Sequence, residues 1–79
     1  MEEIGVRIRK YRQLLGLSQE RLARVLGVTR ESVSQWESGR TEPRPKRVRQ
    51  IAMALSVPYP VLLLGDESGT ANMRRRDWI

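Results

Sequence analysis

A chain of 79 residues, 39% hydrophobic and 30% charged, has room for one small domain, because chains of this size bury only about 60% of their unfolded surface. It has no cysteine and no histidine, which excludes disulfide staples, thiolate and imidazole metal sites and the usual nucleophile and general-base chemistries; no enzyme, metal or cofactor is expected. Fifteen basic against nine acidic side chains leave a net charge of +6, and residues 1–65 hold twelve and six of them, so the excess lies there and a polyanion is the expected partner.

Residues 2–15 place Ile4, Ile8, Tyr11 and Leu15 at spacings of four, three and four, which predicts a helix with one buried stripe and with Arg7, Arg9 and Lys10 outside it. Glu2 and Glu3 suit its N-terminus, and Gly16 closes it. A second helix opens at Ser18, whose hydroxyl can accept from a backbone N–H of the first turn. Leu22, Ala23 and Leu26 share one of its faces, Gly27 reverses the chain, and Val28 can bury beside the reversal.

Thr29 offers the N-cap of a third helix. There Val33 and Trp36, three apart, face the core, while Arg30, Glu31, Ser34 and Gln35 project from the other side. Such a polar face suits the major groove, where Arg grips guanine, Gln grips adenine and Glu accepts from cytosine; a merely solvated helix face would carry the same residue types.

A fourth helix starts at Arg44-Pro45, with Val48, Ile51, Ala52 and Leu55 toward the core and Lys46, Arg47 and Arg49 away from it. A fifth, over 59–64, follows Pro58 and Pro60 and ends at Gly65. Its Val61-Leu62-Leu63-Leu64 run is apolar all round, so Val61 or Leu64 is left exposed or pairs with another subunit, unless the core is more complete than so short a chain suggests. Residues 66–79 form a linker-like tail before Arg74-Arg75-Arg76 and Trp78-Ile79; docking, disorder and phosphate contact all remain open for it. No apolar stretch approaches a membrane span and the N-terminus lacks a basic-then-apolar leader, so a cytoplasmic protein is expected. Thirteen of the basic residues are Arg, a bias that bidentate phosphate and guanine contacts or a GC-rich genome explain equally well.

Over residues 4–65 the chain resembles the phage repressor and Cro (XRE-type) helix-turn-helix family, with the motif at 18–37. The resemblance is carried by Gly16-Leu17-Ser18-Gln19, Leu22-Ala23, Leu26-Gly27-Val28-Thr29, Val33-Ser34, Trp36-Glu37 and Gly39-Arg40, with Pro43, Ile51-Ala52 and Leu55 downstream. It implies an all-α fold, a compact five-helix lambda-repressor-like domain over 1–65. It also implies sequence-specific binding of double-stranded DNA by a homodimer on a palindromic operator, with recognition helices about 34 Å apart, and transcriptional regulation, most often repression.

By the same resemblance Arg30, Glu31, Ser34 and Gln35 read bases, while Gln19 and Arg40 contact phosphate. Ser18, Thr29, Arg44 and Lys46 are further phosphate candidates. Arg12 and Glu37 match a bridging pair that is structural, as is Trp36, and Val61, Leu64 and Trp78 are dimer candidates. Arg21 where a capping box wants Glu, Ser56 where many relatives have glycine, and Pro58-Tyr59-Pro60 in place of a polar cap depart from the pattern. The rival readings are an antitoxin-type module that uses the fold to hold a partner protein, and a sequence-tolerant nucleic-acid binder. No small-molecule effector is expected in so small a core.

Overall fold

The computed structural model describes residues 3–65, which form five helices: α1 (Ile4–Leu14), α2 (Gln19–Leu26), α3 (Arg30–Ser38), α4 (Pro45–Leu55) and α5 (Tyr59–Leu64). No strand occurs among the described residues. The core is made by one side chain or more from every helix: Ile8, Leu22, Val33, Val48, Ile51, Leu55 and Leu62 are sealed from solvent, with Ala23, Ala52 and Trp36 beside them. Except for Leu62, these are the apolar positions that the helical periods single out.

Local chemistry starts and stops the helices. Ser18 Oγ accepts from Arg21 N at 3.0 Å and Thr29 Oγ1 from Ser32 N at 3.1 Å, so α2 and α3 each begin on the predicted hydroxyl cap. Between them Gly27 takes a left-handed conformation (φ 73°), and Val28 N donates back to Ala23 O at 2.9 Å. α4 begins with Pro45 in its first turn and ends at Ser56, which holds φ 60° and ψ 39° where glycine would be at ease.

Two expectations about α1 are corrected. The helix ends at Leu14, so Leu15 leaves the stripe and is 49% exposed instead of buried. Arg7, expected outside the stripe, is buried: its Nε donates to Leu62 O and its Nη2 to Leu63 O, both at 2.7 Å. A helix of six residues leaves its last carbonyls without intrahelical donors, and the guanidinium supplies them, tying α5 to α1.

That tie also phases the apolar run of α5. Val61 and Leu62 turn inward and Leu64 is the exposed member, so Val61, offered as a dimer candidate, is withdrawn into the fold. Trp78 and the rest of the 66–79 tail lie outside the described residues.

Gly5 sets the distance between α1 and α3. A Cβ there would stand 2.1 Å from the Trp36 carbonyl oxygen and 3.1 Å from that of Glu37, so only glycine lets the helices approach this closely. The approach brings Arg12 within reach of Glu37.

Candidate nucleic-acid interface

α3 lies on α1 and α2 with Val33 and Trp36 turned inward, and it presents Arg30, Glu31 and Gln35 to solvent with Ser34 half-buried beside them. Glu31, Ser34, Gln35, Ser38, Gly39 and Arg40 line one shallow depression of about 570 Å³, so three of the four expected base readers and the expected anchor Arg40 share a surface. Trp36 is 8% exposed and belongs to the core, which removes it as a platform for stacking bases.

Behind this face runs a continuous polar chain. Glu37 accepts from Arg12 Nε at 2.6 Å and Nη2 at 3.0 Å, and the third guanidinium nitrogen, Nη1, donates to Leu17 O at 2.7 Å. The remaining reach of the Glu37 carboxylate goes to Gln19, whose Nε2 donates to Oε1 at 3.0 Å. Because that bond fixes the amide, Gln19 Oε1 points outward and accepts from Arg30 Nη1 at 3.4 Å. A buried ion pair, with side chains 10% and 4% exposed, thereby orients a half-buried glutamine, and the glutamine steadies the first arginine of α3. Arg30 keeps most of its five N–H donors free for a ligand.

The hydroxyls of Ser18 and Thr29 already accept from backbone as caps, and Thr29 Oγ1 also lies 3.0 Å from Ser32 Oγ. A hydroxyl that accepts one bond still has a hydrogen to donate, so capping and a phosphate contact are compatible. Arg44 and Lys46 stand apart from the α3 depression, in a second one of about 460 Å³ with Trp36, Glu42, Pro43, Arg47 and Gln50.

Arg47, expected on the outer face of α4, is half-buried and donates to Leu26 O at 3.3 Å and Gln50 Oε1 at 2.8 Å, joining α4 to the end of α2. No cluster of three or more metal-ligating side chains occurs among the described residues. No helix among them is long and apolar enough to cross a membrane.

Comparison with known proteins agrees with this geometry. Repressor protein C2 of Salmonella phage P22 is 37% identical over 67 residues, covering 85% of this chain and 31% of that protein. The regulator DicA of Escherichia coli is 41% identical over 64 residues, covering 81% and 47%. A crystal structure of the P22 c2 repressor in complex with a synthetic operator superposes with a TM-score of 0.78 at 35% identity, over 84% of this chain and 100% of that one. The chain thus spans about a third to a half of the length of these curated relatives. Its capped α2–α3 pair falls within residues 8–62, which match the helix-turn-helix family model, and the chain belongs to that family.

Proposed function

We propose that this chain is a transcriptional regulator, a repressor by default, that binds double-stranded DNA as a homodimer on a palindromic operator. The observation that carries the reading is the polar chain from Arg12 through Glu37 and Gln19 to Arg30, which holds a base-reading arginine ready at the start of α3. Support comes from the P22 relative, which is a repressor whose structure was solved with operator DNA.

In this reading the anchors come first. Gln19, Arg40, Arg44 and Lys46, with the Ser18 and Thr29 hydroxyls, hold phosphates and set the register of the domain on the duplex. Arg30 then meets guanine and Gln35 adenine in the major groove, with Ser34 beside them. Glu31 accepts from cytosine or rejects sequences that offer no donor. The second copy joins through the exposed side of α5, where Leu64 is 64% exposed. Two-fold symmetry then places the recognition helices about 34 Å apart, and such a protein works in the cytoplasm, where its DNA is.

Selection of duplexes from a random library at near-physiological salt tests this, with wild type set against the Arg30→Ala, Gln35→Ala double variant. A palindromic consensus that the variant loses is expected. Absence of any enriched sequence refutes the reading and favours a module that holds a partner protein.

A further inference from the structure

The apolar residues of α2 and α4 are not all used by the core. Val25 is 64% exposed and Met53 81%, and together with Leu26, Ala54 and Gln50 they line an open depression of about 400 Å³ between the two helices. None of the α3 base-reading residues lines it. Apart from Gln50, its floor offers only Val, Leu, Met and Ala side chains, which have no donor to replace the water a phosphate would lose, so DNA is a poor occupant.

No lining residue is charged, but three arginines are neighbours of lining residues on the two helices. Arg47 is pinned at one end by its bonds to Leu26 O and Gln50 Oε1. Arg21 stands one helical turn before Val25 on α2, and Arg49 one turn before Met53 on α4; both are exposed. The guanidinium of Arg49 is steadied over the Tyr59 ring at 5.0 Å, which leaves its N–H edge free. α4 carries no acidic residue, and Glu20 of α2 lies 3.8 Å from Arg24.

We propose that the α2–α4 groove docks an amphipathic helix of another protein, one whose apolar stripe is flanked by acidic residues. A shallow apolar trough between two helices accepts a third through anchors spaced three and four apart, and the basic rim selects carboxylates on either side of that stripe. The inference rests on the folded domain and does not depend on which bases α3 reads.

The test is selection from a displayed library of random 20-residue peptides, with the full chain as bait in excess duplex DNA so that the basic α3 face is occupied. The Val25→Glu, Met53→Glu double variant serves as counter-bait; both positions are exposed, and its melting temperature and DNA affinity are measured on the same preparations, so loss of DNA binding and loss of docking are scored separately. Helical, net-acidic winners are expected, binding the variant at least tenfold more weakly. Arg21→Glu, Arg49→Glu should weaken them severalfold, with rescue when the peptide carboxylates are exchanged for Lys. Winners without acidic bias, winners indifferent to the variant, or no winners overturn the proposal. So does sedimentation showing that Val25→Glu, Met53→Glu abolishes self-association, because the occupant is then a second copy.

Discussion

Removing Arg12 alone and removing it together with Glu37 separate the stability of the polar chain from its work at the DNA face. In Arg12→Met the Glu37 carboxylate, 4% exposed, keeps only its bond from Gln19. Stranding one member of a buried pair costs about 3–5 kcal/mol. A chain of this length has about 4–12 kcal/mol of folding stability in all, so the single variant is expected to lose a quarter or more of it. In Arg12→Met, Glu37→Met no charge is stranded, and replacement of a buried pair by apolar side chains is neutral or stabilising. The paired variant is therefore expected to fold, yet Gln19 has lost its acceptor and Arg30 its brace. Ordering each of these side chains on DNA then costs about 0.5–1.5 kcal/mol, together about 1–3 kcal/mol or a 5–150-fold weaker complex. Urea unfolding followed by tryptophan fluorescence reads the first quantity, and fluorescence anisotropy on a selected duplex reads the second. A single variant as stable as wild type refutes the buried-charge argument; a folded double variant with wild-type DNA affinity refutes the preorganisation of Arg30.

Three further outcomes follow from the geometry. Gly5→Ala gains about 1 kcal/mol of helix propensity, but its Cβ meets the Trp36 carbonyl at 2.1 Å, and separating two backbones costs about 1–3 kcal/mol or more. The net loss is about 0–2 kcal/mol, so calorimetry is expected to show a melting temperature lower by up to about 16 °C, and a higher value rules out the close approach. Ser56→Gly relieves a left-handed conformation worth about 1–2 kcal/mol and returns up to about 1 kcal/mol of that through the freer unfolded chain, so a small rise in melting temperature is expected and a fall contradicts it. Under the proposed function Arg40→Ala and Arg44→Ala each weaken binding to every duplex alike and flatten the salt dependence by about 0.9 in log–log slope; retention of the wild-type slope removes that residue from the anchors.

The parts of the fold legible in the sequence are those whose chemistry is local. A hydroxyl three residues before the amide it caps, a glycine after the last apolar position and a tryptophan three after a valine each need only a few neighbours, and Ser18, Gly27, Thr29, Val33 and Trp36 all sit as their types and spacings require. The Arg12–Glu37 bridge spans 25 residues and was reached through family resemblance, since spacing alone does not bring α1 to α3. Arg7 gave no comparable signal: its partners are backbone carbonyls 55 and 56 residues away, and a carbonyl carries no side-chain signature. Gly5 was equally silent, because the need for a missing Cβ exists only once two helices meet. Leu15 continues a 4-3-4 spacing that the chain stops obeying after Leu14, and Val61 lies in an apolar run without period, whose phase comes from packing and from the Arg7 clamp.

The same blindness affects the charge count. A long arginine stem serves an interior position as readily as a surface one, and sequence does not tell the two apart. Of the twelve basic residues in 1–65, Arg7 and Arg12 are buried and committed to Leu62, Leu63, Leu17 and Glu37, which leaves ten to meet a polyanion. Even if all ten reached phosphates, the log–log salt slope for one copy would not exceed about 9 in magnitude, and one domain face cannot engage all ten at once. Arg47, one of those ten, lowers the bound to about 8 while it stays bonded to Leu26 O and Gln50. A measured slope per copy beyond about 9 requires cations from outside 1–65, and Arg74, Arg75 and Arg76 are the ones this chain has. A slope of about 3.6 to 4.5 is what the anchors Arg40, Arg44 and Lys46, with one or two further cations, supply without them.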